Sequence, residues 1–386
     1  MKASDVERAA RQIAVAAAGA EDLVTFWELC RDALQRAVPY YLTPCWYTVD
    51  PSSLLITSHY DHGLIPQLPS AWFAHEYYEQ DIISLADVAR DPRGVATIHE
   101  VTAGEPARSA GWREFVVPYG GDQEVLLALR NRSGQTWAML TLFRQPDDPM
   151  FSAGELGFLS AVAPTLGEGA RRSLLVGEAR EPDGPDAPGL VVLDDAWQVA
   201  SVTPGAERWL DDLPDGSWSR LGRLAPSVLA VAGRARRHAG TADHPGEVAV
   251  ARVRGRSGRW MTLHGAPMRT DGTDRVAVII ERSDPARIAP LLMAAYQLTE
   301  REKDIARLVL RGESTAGIAA TLFVSPYTVQ EHLKSIFEKT GVRSRRELVG
   351  KIFFAHYEPR VRDNEIRATD GRPLRGGPVG AAPADW

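Results

Sequence analysis

The sequence predicts a multidomain α+β protein: two modules that mix helices with a sheet, then a C-terminal unit of four short helices. Three observations carry this. Residues 178–189 read E-A-R-E-P-D-G-P-D-A-P-G, rich in Pro, Gly and Asp with no apolar face, which is the composition of an interdomain linker. On either side of it, up to about residue 286, strand-like runs alternate with helical spacing. From residue 298 the pattern is helical throughout, with a start or stop signal at every junction.

In the first module, residues 1–10 are charged and helical rather than signal-like. Leu23, Phe26, Trp27 and Leu34 have helical spacing, and Pro39 follows. Residues 45–49 and 54–58 read as strands around an Asp50-Pro51 turn. Residues 124–130 and 136–144 read as a strand pair across Asn131-Arg132-Ser133-Gly134. Residues 152–175 read as a long closing helix. The second module opens with strand, Asp-rich turn and strand, then a helix from Pro204. A second helix is expected near residues 227–239. A hairpin over 247–253 and 259–264 turns through Gly255-Arg256-Ser257-Gly258, and 275–281 closes the sheet. No fixed-period repeat links the two modules.

The C-terminal unit is punctuated more sharply. Thr299 and Glu302 form a T-x-x-E capping box that starts a helix at Glu300, with Ile305, Leu308 and Val309 inward and Gly312 as its stop. Ser314 caps a second helix that buries Ile318, Ala319 and Leu322. After a tight turn through Phe323 and Val324, Ser325-Pro326 supplies an N-cap and a proline at the first helical position, where its missing N–H costs nothing. This third helix runs to Thr340 and stops at Gly341. Val329, Leu333, Ile336, Phe337 and Thr340 share one face; Tyr327, Glu331, Lys334, Ser335 and Glu338 share the other, with Thr328 and Gln330 at the flanks. A fourth helix opens at Ser344 and buries Leu348, Val349, Ile352 and Phe353. Residues 298–354 hold ten Lys and Arg against seven Asp and Glu, a balance of +3 in a chain of −6, so the remainder carries −9. Basic charge therefore collects beside a polar helix of the width that a DNA major groove admits. The competing reading is a small helical bundle with a solvated charged face.

Residues 298–354 are similar to the helix-turn-helix domain of LuxR-type transcriptional regulators. The matching phrases are L-T-E-R-E from Leu298, G-I-A-A-T-L-F-V-S from Gly317, T-V-Q-E-H-L from Thr328, I-F-E-K-T-G-V from Ile336 and S-R-R-E-L from Ser344. The resemblance implies that Gln330, Glu331 and Lys334 read bases. It implies phosphate contacts for Ser325, Thr328, Arg343 and Arg345. It also implies a homodimer on a two-fold symmetric operator. Many relatives have Lys or Arg where Gln330 stands, and Glu331 is acidic, which bears on the base sequence read. The first module resembles a GAF-type sensory domain and the second a PAS-type domain. The expected organisation is 1–177 GAF-like, 178–189 linker, 190–286 PAS-like, 291–357 helix-turn-helix and 358–386 a disordered tail.

Other chemistry finds little support. The chain has 386 residues, 44% hydrophobic and 24% charged, as in soluble globular proteins. Cys30 and Cys45 fit no zinc or C-x-x-C spacing, and no apolar run approaches a membrane span, so a cytoplasmic, membrane-free protein is expected. There is no P-loop, H-E-x-x-H or G-x-S-x-G sequence, and Asp194-Asp195 lacks the βα units of a phosphoacceptor receiver. His59 and His62 lack a third metal ligand. His75, among Trp72, Phe73, Tyr77 and Tyr78, either lines a ligand pocket, stacks on haem or is plain packing; Trp46 and Trp137 are further pocket candidates. No metal, cofactor or catalysis is called for. The expected function is a sequence-specific DNA-binding regulator controlled by an effector of unidentified chemistry. The alternative is a non-enzymatic adaptor whose helical domain no longer binds DNA.

Overall fold

The computed structural model describes residues 3–20, 22–61, 68–79, 81–132, 134–175, 188–240, 249–270, 273–283, 298–310, 313–340, 342–345 and 348. It forms two units, residues 1–282 in the main and the C-terminal helices. Residues 178–187 of the expected linker, residues 291–297, Gly312, Gly341, most of the fourth helix and the tail lie outside the described residues.

The larger unit begins with helices α1 (Ala3–Ala18) and α2 (Leu23–Ala37), the latter capped by Asp22, which accepts from Thr25 N at 2.9 Å. Strands β1 (Tyr41–Val49) and β2 (Ile56–Tyr60) follow. Next come α3 (Ser70–Ala74), α4 (Leu85–Arg90), β3 (Val95–Thr97) and α5 (Ile98–Val101). Strands β4 (Gln123–Arg130) and β5 (Thr136–Arg144) pair antiparallel with Leu127 opposite Leu140, and α6 (Ala153–Leu175) closes the module. The sheet order is β2-β1-β5-β4-β3. One face, through Trp46, Val125, Leu127, Leu129 and Leu140, is covered by α1, α2 and α6. The other face, through Cys45, Tyr47, Leu126, Ala128 and Met139, is buried in a different cluster. Both faces are covered, which is why β4 reads as a continuous apolar run rather than an alternation.

The second sheet comprises β6 (Gly189–Leu193), β7 (Val199–Val202), then α7 (Ala206–Asp212), α8 (Trp218–Leu221) and α9 (Pro226–Gly240), and β8 (Val250–Arg254), β9 (Trp260–Thr270) and β10 (Thr273–Arg282). Its order is β7-β6-β10-β9-β8, the same permutation as the first. On their other faces the two modules share a core. A single cluster joins Tyr47, Phe73, Tyr77 and Met139 to Val191, Val228, Leu263 and Val278. Helix α9 is the shared element. Val228, Ala230, Val231, Ala232 and Ala235 are all at most 1% exposed, as in a helix apolar on every side. A Cβ on Gly233 would meet Tyr77 Cβ at 2.9 Å, and one on Gly265 of β9 would meet Val231 O at 2.8 Å, so small residues let α9 approach both sides closely. Asp50, 1% exposed after β1, accepts from Arg252 of β8: from its backbone N at 2.8 Å, Nε at 3.0 Å and Nη2 at 2.7 Å.

The smaller unit holds α10 (Glu300–Leu310), α11 (Thr315–Leu322) and α12 (Pro326–Thr340). They enclose Leu298, Ile305, Val309, Ile318, Val329, Leu333 and Ile336, with Leu348 buried among them.

Candidate nucleic-acid interface

The caps read from the sequence set the three helices. Thr299 N donates to Glu302 Oε2 at 2.7 Å and Glu302 N donates to Thr299 Oγ1 at 3.3 Å, a reciprocal capping box that starts α10. Ser314 Oγ accepts from Gly317 N at 3.0 Å to start α11. Helix α11 ends at Phe323, which adopts the left-handed conformation (φ 55°, ψ 44°), and Arg301 donates to the freed Leu322 carbonyl at 2.6 Å. A cation at a helix C-terminus also complements the dipole. Phe323 is 95% exposed, so its φ is imposed by the turn and not by packing. Ser325 Oγ then accepts from Thr328 N at 3.0 Å and lies 2.8 Å from Thr328 Oγ1, fixing the start of α12.

Helix α12 buries Val329, Leu333, Ile336 and Thr340 and turns Gln330, Glu331 and Lys334 to solvent. These three have no hydrogen-bond or ion-pair partner among the described residues, so their polar atoms are uncommitted to the fold. Tyr327, 70% exposed, stands one turn before them, a prominent side chain that the helical pattern placed outward without assigning it a role. Ser325 is exposed and Thr328 half-buried at the same helix end. Arg343 is exposed; Arg345 is half-buried, and its buried Nη2 has no partner among the described residues.

Ser335 departs from the expected outward face. Its hydroxyl donates to Glu302 Oε1 at 2.7 Å, while Lys339 Nζ donates to Glu302 Oε2 at 2.6 Å. The capping carboxylate of α10, 3% exposed, thus also holds α12. Burial pushes the Glu302 pKa up, but the hydrogen bonds from Lys339, Ser335 and Thr299 outweigh it and the net direction is down. Helical spacing places Ser335 beside Lys334 and Glu338, and a partner 33 residues upstream leaves no local signal.

The pocket candidates separate. His75 lines a cavity of the first module, with its Nδ1 2.9 Å from Glu79 and its Nε2 3.1 Å from Glu114. Trp46 and Trp137 do not line it. Both are at most 1% exposed, and Trp46 stacks on Trp27 at 4.3 Å on the helix-covered side of the sheet. The cavity residues that the sequence did not nominate are Glu124, Asp81 and Glu76.

Residues 296–351 match the model described as "Bacterial regulatory proteins, luxR family". A protein of Mycobacterium bovis named as an HTH-type transcriptional regulator is 46% identical over 69 residues, 18% of this chain and 7% of that protein. The transcriptional regulatory protein NarL of Mycobacterium tuberculosis is 36% identical over 70 residues, 18% of this chain and 30% of that protein. The spore germination protein GerE of Bacillus subtilis is 36% identical over 52 residues, 14% of this chain and 70% of that protein.

Proposed function

Because the chain belongs to the luxR family of bacterial regulatory proteins, we propose that it is a sequence-specific DNA-binding transcriptional regulator whose N-terminal modules sense a ligand or partner and control binding as a dimer. The observation that carries this is the exposed, uncommitted side of α12, opening at the Ser325-Pro326 corner. In this reading α12 enters the major groove. Gln330 offers a bidentate pair to adenine, Lys334 reaches guanine acceptors and Glu331 accepts from cytosine N4. Ser325 and Thr328, at the helix N-terminus, and Arg343 and Arg345 contact phosphates and set the register. Two chains bind half-sites about one helical turn apart. The GAF-like and PAS-like modules share one core, so an effector held by the first alters both, and the coupling free energy appears as a change in joint affinity for the paired half-sites. No catalysis is required.

Selection from random duplex DNA, with sequencing of the retained pool, tests the proposal. An enriched motif with salt-dependent retention supports it. No motif and no salt dependence leaves a protein-contact adaptor, the reading that the acidic Glu331 and the small positive balance of the helical unit favour.

A further inference from the structure

The cavity of the first module has a charge that the fold does not neutralise. It measures about 80 Å³, roughly half of the ~150 Å³ that accommodates benzene. Its wall is aromatic: Tyr47, Trp72, Trp112, Phe115 and Phe143 line it. Two of the polar handles of that wall are already engaged. The Trp112 indole N–H donates to the Asp122 carbonyl, and the Tyr47 hydroxyl is tied to the Cys45 thiol. Trp72 lies parallel to Tyr47, ring centroids 5.6 Å apart. What the wall mainly offers a ligand is ring surface.

Three carboxylates line the same cavity, and two are committed to the fold. Asp81 accepts from Ile82 N at 2.7 Å, Ser109 Oγ at 2.7 Å, Ala110 N at 3.2 Å and Gly111 N at 2.6 Å. Glu76 accepts from Leu85 N at 2.9 Å. Glu124, on β4, makes no hydrogen bond among the described residues. The charge acting on it is that of Asp81, of the same sign, and among the described residues no Lys or Arg lines the cavity. Burial and Asp81 together push its pKa up to about 7. A desolvated carboxylate without partners is costly, and a natural site retains one where something else supplies the partner.

We propose that this cavity binds a small organic cation, an ammonium of a few heavy atoms, whose N–H donates to the Glu124 carboxylate and whose alkyl groups lie against the aromatic wall. Aromatic rings beside a carboxylate are the chemistry that recognises ammonium ions. The charge of −9 outside the helical unit also attracts cations. The inference rests on the sensing reading and supplies its ligand class.

The test uses the full chain, with isopropylammonium as probe and isopropanol as its neutral isostere, followed by ligand-observed NMR and calorimetry. Isopropylammonium is expected to bind at pH 8 at least tenfold more tightly than isopropanol. Glu124→Gln should abolish that preference without lowering the thermal midpoint. Lowering the pH from 8 to 6 should weaken binding about tenfold, following protonation of Glu124. The other titratable groups facing the cavity are His75, Glu76, Asp81, Cys45 and Tyr47, so the pH response must vanish in Glu124→Gln to belong to Glu124. If Glu124→Gln does not fold, the wild-type pH series decides: a flat profile overturns the proposal. Equal binding of the neutral isostere overturns the cation assignment while leaving a ligand site. Binding of neither probe overturns the assignment too, and the sensing reading then stands or falls on native mass spectrometry of the protein from its own host.

Discussion

Glu302 meets three donors on two helices, and its depressed pKa makes the helical unit acid-sensitive. A carboxylate whose folded pKa lies below its unfolded value contributes stability that is present above the unfolded pKa and is lost as pH falls through the folded one. Thermal unfolding from pH 7 down to 2 should therefore show Glu302→Gln less stable than wild type at pH 7, with the gap closing as the pH drops below the ordinary carboxylate range. A constant gap would contradict the assignment. Phe323 offers the opposite case. A left-handed φ costs a non-glycine residue about 1 kcal/mol, and a side chain 95% exposed returns little packing. Phe323→Gly should leave stability unchanged or raise it by up to about 1 kcal/mol in urea unfolding, and a clear loss would show that the ring has a partner. Lys334→Ala removes an exposed side chain with no role in the fold. If Lys334 reads a base, binding should fall by about 1–3 kcal/mol with relaxed specificity at one position. If it contacts only phosphate, the loss should be uniform over sequences, with a salt slope smaller by about one.

At the scale of elements, the helix starts were legible because capping is local. Thr299 with Glu302, Ser314, and Ser325 with Pro326 declare themselves within four residues, and each makes the hydrogen bond its spacing implies. The strand pair over β4 and β5 was legible for the same reason, since its turn lies between its partners. The facing of buried strands was not. In β1 the last six residues are all buried, so alternation could not tell Trp46, on the helix side, from Cys45 and Tyr47, on the cavity side. Nor did composition show that α9 serves both sheets, because a small-residue helix reads alike in one core or between two. Its close approach is testable. Gly233→Ala places a Cβ 2.9 Å from Tyr77 Cβ and 3.2 Å from the Phe73 carbonyl, and such overpacking costs about 1–3 kcal/mol. A neutral substitution in denaturant unfolding would mean that α9 and the His75–Glu79 segment can separate freely.

At the scale of the whole molecule, the two modules repeat one strand permutation without any repeat in sequence, since a sheet order constrains hydrophobicity and turn positions and not residue identity. Their union is fixed by the shared core and by Asp50 with Arg252. Asp50→Ala leaves a half-buried guanidinium without its buried carboxylate and should cost about 3 kcal/mol. Amide hydrogen exchange should then accelerate in both sheets together, whereas faster exchange confined to one would contradict a common core. The DNA-binding domain was the clearest feature of the chain because a short unit with a cap at each helix start leaves few alternative folds. The cavity was the least legible, because it is assembled from residues between 45 and 143 that no short motif connects. The central claim is that the outward side of α12 reads DNA. Selection from random duplexes by the full chain at two salt concentrations tests it most directly, with Lys334→Ala in parallel. An enriched, two-fold related motif, retained less at higher salt and weakened by the substitution, is expected. Retention of no motif, or equal retention by both proteins at both salts, would contradict it.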